Sequence, residues 1–190
     1  MTKRALESTL EVRPYRLRLR QPLRTARGTY AVREGFVVLA HEGGLTGRGE
    51  AAPLPELGTE TLARCADELR RASFAHLPAT PAARHAVELA LLDQRAQRAG
   101  VPLATLLDPR ALRAVPVSAL LAAQTMPELA REAQRAVAEG FATLKLKVGE
   151  DDDFARAAVV RDAVGPLVKL RLDANGSWSR ELALRRLHEL

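Results

Sequence analysis

ATLKLKVGEDDDF, residues 142–154, alternates apolar and polar side chains as far as Val148 and then breaks at Gly149 into a run of acids. The alternation predicts a β-strand with Leu144, Leu146 and Val148 on one face and Lys145 and Lys147 on the other. Lysine is among the residues least often fully buried, so two of them in phase mark a face that is not ordinary core. Helical patterns flank this strand. Upstream, Thr125-Met126-Pro127-Glu128 predicts a capping box and Gly140 the end of the helix it starts. Downstream, Asp151, Asp152 and Asp153 put negative charge at the start of a second helix, which stops at Gly165-Pro166.

The same unit recurs through residues 111–190. VPVSALLAA, a helix, ATLKLKV, a helix, VKLRLDA and a helix starting near Ser179 follow one another. Strands and helices alternating at this spacing predict a parallel sheet, either closed into a barrel or open and doubly wound. Neither a G-x-G-x-x-G fingerprint nor a P-loop follows any strand, which removes the usual nucleotide sites and favours the barrel.

Residues 1–110 read differently, as an α+β unit. VRPYRLRLR, GFVVLAHE and GLTGRGEAA are strand-like, and Glu42-Gly43-Gly44 predicts a hairpin between the last two. A polar stretch, 21–34, predicts a long loop between the first two. The period then changes to that of a helix. Thr59 is the predicted cap for a stripe of Leu62, Cys65, Ala66 and Leu69, and Pro81 opens a second helix carrying Ala83, Ala86, Val87, Ala90 and Leu91 to Gly100.

Composition narrows the function. With 190 residues, 47% apolar and 27% charged, the chain reads as globular. The formal charge of +6 comes from arginines dispersed among acids, without aromatic platforms beside them, so nucleic acid is not the expected partner. No apolar run approaches the roughly 18 residues of a membrane helix, and the N-terminus lacks an apolar signal core; a cytoplasmic location is expected. Cys65, the single cysteine, is expected in the core, and His41, His76, His85 and His188 share no ligand spacing.

Chemistry is therefore sought at the strand ends. In a barrel, Lys145 and Lys147 would point to the axis near the end of their strand, where barrel enzymes carry their catalytic groups. One unit later Arg171, Asp173 and Asn175 fall on the matching face. A carboxylate there can hold a hard cation. Two ammonium groups side by side repel, which favours the neutral amine a base requires. The set suits proton abstraction next to a carboxylate.

K-x-K at 145–147 and D-A-N at 173–175 resemble the enolase superfamily, in its muconate-lactonizing branch. GRGEAAPLP (47–55) and ARHAVELALLDQRAQRAGVPLATLL (83–107) resemble the end of that family's capping domain. The resemblance implies an α+β capping domain over 1–110 and the first three βα units of a TIM-like (β/α) barrel over 111–190. It also implies a Mg²⁺ cofactor and a small-molecule carboxylate substrate, and is compatible with a homo-oligomer. Lys147 would be the base, Lys145 its neighbour tuning it and meeting the substrate carboxylate, Asp173 the first metal ligand, and Asn175 an assistant near metal or substrate. Arg27, with Gly28 and Thr29, would lie on a loop over the site mouth and help bind substrate. Trp178 is expected to pack at the base of the third helix.

PLRTARGTYAVREG, LPELGTETL and LRLDANGSWS are most similar to the o-succinylbenzoate synthases, implying dehydration in menaquinone biosynthesis. The alternatives are a dipeptide epimerase or N-acylamino acid racemase, or a noncatalytic half-barrel interaction fragment. A full barrel takes about 250 residues and eight strands, so the chain is expected to be an N-terminal portion, inactive alone, whose remaining metal ligands and opposing lysine lie on later strands.

Overall fold

A computed structural model describes residues 8–25, 28–149 and 152–189. The chain folds as two units, one ending at Arg113 and one beginning at Ala114.

In the first unit, β1 (Thr9–Thr25), β2 (Gly28–Glu42) and β3 (Leu45–Ala51) form an antiparallel sheet in that order. The β2–β3 turn is the predicted one: Glu42 pairs with Leu45 across Gly43 (φ 60°) and Gly44 (φ 79°), the left-handed conformations a two-residue hairpin demands. The predicted loop over 21–34 is overturned. Leu23 pairs with Tyr30 and Thr25 with Gly28, so the two strands stay paired through Thr25 and Gly28, with a register shift between Arg18 and Leu23 absorbing the mismatch. The reason is that Tyr30 and Val32 keep the strand period despite the polar composition around them.

Helices α1 (Leu62–Arg71) and α2 (Pro81–Ala99) pack with this sheet, and a short α3 (Leu103–Leu107) follows. The cap of α1 is Thr61, whose side chain accepts from the Arg64 amide, and not Thr59, whose hydroxyl oxygen accepts from the Leu54 amide at 2.5 Å. Two threonines this close in sequence offer the same chemistry, and backbone direction selects between them. Glu60 between them caps α2. Its carboxylate accepts from Thr80 Oγ1 at 2.8 Å and from the amides of Ala82 and Ala83 at 3.1 and 2.8 Å. Burial pushes the Glu60 carboxyl up, but these bonds and its own amide outweigh that and hold it below the usual value. Cys65 is fully buried, as expected, and desolvation beside Glu60 pushes its thiol up to about 12.

The seam between α2 and β3 is made of small residues. Gly47, Gly49 and Ala51 face Ala83, Ala86 and Ala90, all buried. A Cβ on Gly47 would collide with the Ala90 carbonyl oxygen, and one on Gly49 with that of Ala86. Helix backbone therefore rests directly on strand backbone. Gln94, buried at the end of the seam, donates from Nε2 to the Ala40 carbonyl at 3.0 Å.

In the second unit β4 (Ala119–Leu121), β5 (Thr143–Lys147) and β6 (Lys169–Asp173) form a parallel sheet in that order. Between them run α4 (Met126–Ala138) and α5 (Asp153–Val164), and α6 (Arg180–Glu189) follows. Thr125 caps α4 through the Glu128 amide, as the capping box predicts. Leu121, Leu144 and Leu146 pack with Leu129, Ala133, Ala157 and Val160 into one core, with Leu170, Leu172 and Trp178 at its margin. The helices thus take the leucine face, and the lysines stand on the opposite one.

Candidate active site

Parallel pairing sets Lys147 opposite Asp173 and Lys145 opposite Arg171. Residues paired this way share a face, so Lys145, Lys147, Arg171 and Asp173 stand together on the side of the sheet away from the leucine core. Leu120, paired with Lys145, is on that face too and is half exposed.

The lysine two residues back makes the close contact. Lys145 Nζ lies 2.6 Å from Asp173 Oδ2, both side chains about two-thirds withdrawn from solvent (34% and 26% exposed). The backbone amide of Asn175 donates to Asp173 Oδ1 at 3.0 Å. This turn is tight: Asn175 is at φ 48° and Gly176 at φ 75°, a left-handed pair that Asn and Gly tolerate best. The hydrogen bond from Lys145, then that from the Asn175 amide, hold the Asp173 carboxyl below its usual value against some desolvation, and the charges of Lys145 and Lys147 add to the lowering.

That shift has a sign. A carboxyl lowered on folding stabilises the folded state above its ordinary pKa and loses that contribution as pH falls through the lowered value. Lys145→Met removes the largest cause. We expect the Asp173 carboxylate, followed by ¹³C NMR, to titrate at a higher pH in that variant; an unmoved midpoint would show that the ion pair does not form in solution.

The strand ends are tied from behind. The Val148 amide donates to the Asp173 carbonyl at 3.1 Å, and the Gly149 amide to Asp153 Oδ1 and Oδ2, both at 2.8 Å. Trp178 Nε1 donates to Asp153 Oδ2 at 3.2 Å. Trp178 thus packs at the margin of the core and bonds the start of α5, where the sequence predicts packing at the base of the third helix. Asp153, read from sequence only as helix-terminal charge, is 1% exposed and joins the two loops that leave β5 and β6. The one signal for it in sequence is an acid four residues past a strand-ending glycine, too common to single it out.

Of the other expected residues, Arg27 and Asp151 lie outside the described residues. Gly28 and Thr29 begin β2. The Asn175 side chain is exposed.

A Mg²⁺ ion takes an octahedral shell of oxygens. Asp173 offers one hard carboxylate at the strand end, of the right chemistry. Among the described residues there is no group of three His, Cys, Asp or Glu side chains that could hold a metal. The donor set fits one ligand of such an ion, with the rest to be supplied from outside the described residues.

The chain is similar to known proteins over most of its length. Residues 9–88 match the family described as MenC, N-terminal domain, and residues 128–190 the family described as Enolase C-terminal domain-like. A hydrophobic dipeptide epimerase of Roseobacter litoralis is 38% identical over 189 residues, spanning 89% of this chain and 54% of that protein. An o-succinylbenzoate synthase of Thermosynechococcus vestitus is 34% identical over 183 residues, spanning 91% of this chain and 53% of its own. The crystal structure of a dipeptide epimerase from Enterococcus faecalis, complexed with Mg and the dipeptide L-Leu-L-Tyr, superposes with a TM-score of 0.85 at 29% identity, over 97% of this chain and 57% of that one. The chain spans about half the length of the curated relatives it matches.

Proposed function

Because the chain belongs to the enolase superfamily, in the muconate-lactonizing-like branch, and its parallel sheet is the start of an incomplete (β/α) barrel, we propose that it carries one side of a Mg²⁺-dependent site that removes a proton α to a carboxylate. The observation that carries the reading is the register of β5 and β6, which sets Lys147 opposite Asp173 with Lys145 paired to the same carboxylate. Lys147 takes the α-proton. Lys145, already held against Asp173, meets negative charge that develops on the substrate. A divalent cation, when bound at Asp173, supplies the positive charge that a substrate carboxylate needs for its α-proton to become acidic.

We favour epimerisation of a dipeptide, in which a protonated group on the other side of the α-carbon gives a proton to the opposite face. Support comes from the 38% identity to an epimerase and the likeness to one holding L-Leu-L-Tyr. Dehydration to o-succinylbenzoate, the reading drawn from PLRTARGTYAVREG and LRLDANGSWS, has support in the MenC N-terminal match and the 34% relative.

One experiment separates them. The complete protein is incubated with Mg²⁺ in D₂O and a panel of L,L-dipeptides, and loss of the α-proton signal is followed by ¹H NMR; a parallel sample receives the o-succinylbenzoate precursor. Exchange with epimer formation supports the first reading, and turnover of the precursor alone supports the second. Neither reaction in a folded, Mg²⁺-loaded protein would sink both.

A further inference from the structure

Asp153 is a buried carboxylate outside the set that faces substrate. An acid removed from water in this way is stable only when its oxygens are satisfied, and here the satisfying donors come from two different loops. The Gly149 amide, bound through both oxygens at 2.8 Å, lies two residues past Lys147. The Trp178 indole, at 3.2 Å, lies five residues past Asp173. Gly149 is at φ 136° and has no room for a Cβ beside Ser177, so the loop after β5 is pressed against the loop after β6. Ser177 in turn donates from Oγ to the Ala174 carbonyl at 2.6 Å, which stiffens the second loop on its own side.

Strand pairing reaches only as far as these ends. The ladder between β5 and β6 finishes at Lys147 and Asp173, and the Val148 amide bonded to the Asp173 carbonyl continues it by one link. Terminal residues of a two-strand pairing fray unless something beyond them is fixed. The carboxylate of Asp153, anchored as the first residue of α5, is placed where it fixes both.

We infer that Asp153 is a positioning residue of the proposed proton-transfer site: by bonding the Gly149 amide and the Trp178 indole together, it sets the separation of Lys147 from Asp173. The inference rests on the functional reading above. A displacement of about 1 Å in such a pair can cost on the order of a hundredfold in rate, and loss of an outer hydrogen-bond partner typically costs about 10- to 100-fold.

Asp153→Asn preserves shape but supplies one acceptor where there were two, and Trp178→Phe removes the indole donor without touching the acid. Both are made in the complete protein, with Lys147→Ala as the reference for lost chemistry. Hydrogen–deuterium exchange of segments 147–149 and 174–178 is measured without substrate; kcat and KM are measured with Mg²⁺ and L-Leu-L-Tyr, or the panel dipeptide that turns over fastest, well below each variant's melting midpoint. We expect the two segments to exchange about tenfold faster in D153N while β4 and α4 stay protected, and kcat to fall about tenfold with KM changed less than about threefold. Trp178→Phe is expected to move the same readouts in the same direction by less. A purely structural role would lower the folded fraction and leave the kcat of folded protein alone. Unchanged segment exchange, or faster exchange with wild-type kcat in both variants, overturns the inference. If the wild-type protein exchanges no α-proton with any dipeptide, the functional reading fails and the inference falls with it; if wild type is active, K147A dead and D153N normal, the inference alone is wrong.

Discussion

Lys147→Ala in the complete protein is expected to lower the rate of α-proton exchange by about a thousandfold, with little effect on folding. Removing a positioned general base typically costs about 10² to 10⁴ in rate. Lys147 stands at the end of β5 on the face away from the leucine core, where truncation opens no cavity in the cluster of Leu144, Leu146 and Leu129. Circular dichroism and the melting midpoint should therefore match the wild type while exchange of the dipeptide α-proton into D₂O disappears. Dependence on Mg²⁺ is a separate arm of the same experiment: metal removal with a chelator should silence the wild-type protein, and Mg²⁺ should restore it but not K147A. A K147A protein that exchanges at the wild-type rate would remove Lys147 from the chemistry.

The second large effect is expected in the other unit, from the smallest possible change. Gly49→Ala adds one methyl group where the Ala86 carbonyl oxygen and the Ala90 amide nitrogen already stand. Both obstacles are backbone, so no side chain can rotate away, and α2 must lift from β3 along the seam with Ala83, Ala86 and Ala90. Overpacking usually costs about 1–3 kcal/mol and more when the neighbours cannot move; a loss of about 3 kcal/mol corresponds to a midpoint lower by roughly 15 °C for a unit of this size. Thermal unfolding followed by circular dichroism measures it. Gly43→Ala is the informative comparison, since a Cβ there meets nothing and only its left-handed φ of 60° resists, a smaller penalty. Equal midpoints for wild type and Gly49→Ala would mean that helix and strand do not touch.

Much of this architecture is legible in the residues themselves. Leu144, Leu146 and Val148 against Lys145 and Lys147 is a period-two pattern that only a strand with one covered face satisfies, and those three apolar residues are buried. Pro81, Gly100, Thr125 and Gly165 mark helix ends because each acts locally, through a missing donor, a glycine at positive φ, or a hydroxyl that accepts from the first turn. What escapes a reading of sequence depends on partners distant along the chain. The strand character of 21–25 and 28–34 is fixed by cross-strand pairs such as Leu23 with Tyr30, which composition cannot report and at which the period of Tyr30 and Val32 only hints. Glu60 caps a helix that begins at Pro81, and no local rule connects them.

The site divides in the same way. K-x-K and D-A-N are visible as spacing, but the 2.6 Å bond from Lys145 to Asp173 is diagonal across two strands, and its existence depends on register. Asp153 stays hidden because its donors, Gly149 and Trp178, are 4 residues before it and 25 after it.

The parallel pairing of β5 with β6 also frees part of the chain. Lys147 meets Asp173 because two strands lie in step, whatever number of residues travels between them. Helix α5 must still cover the sheet through Ala157 and Val160, but the exposed turn beyond it, at Pro166 and Leu167, can lengthen, shorten or be exchanged for a foreign graft during evolutionary drift while Lys147 and Asp173 keep their register.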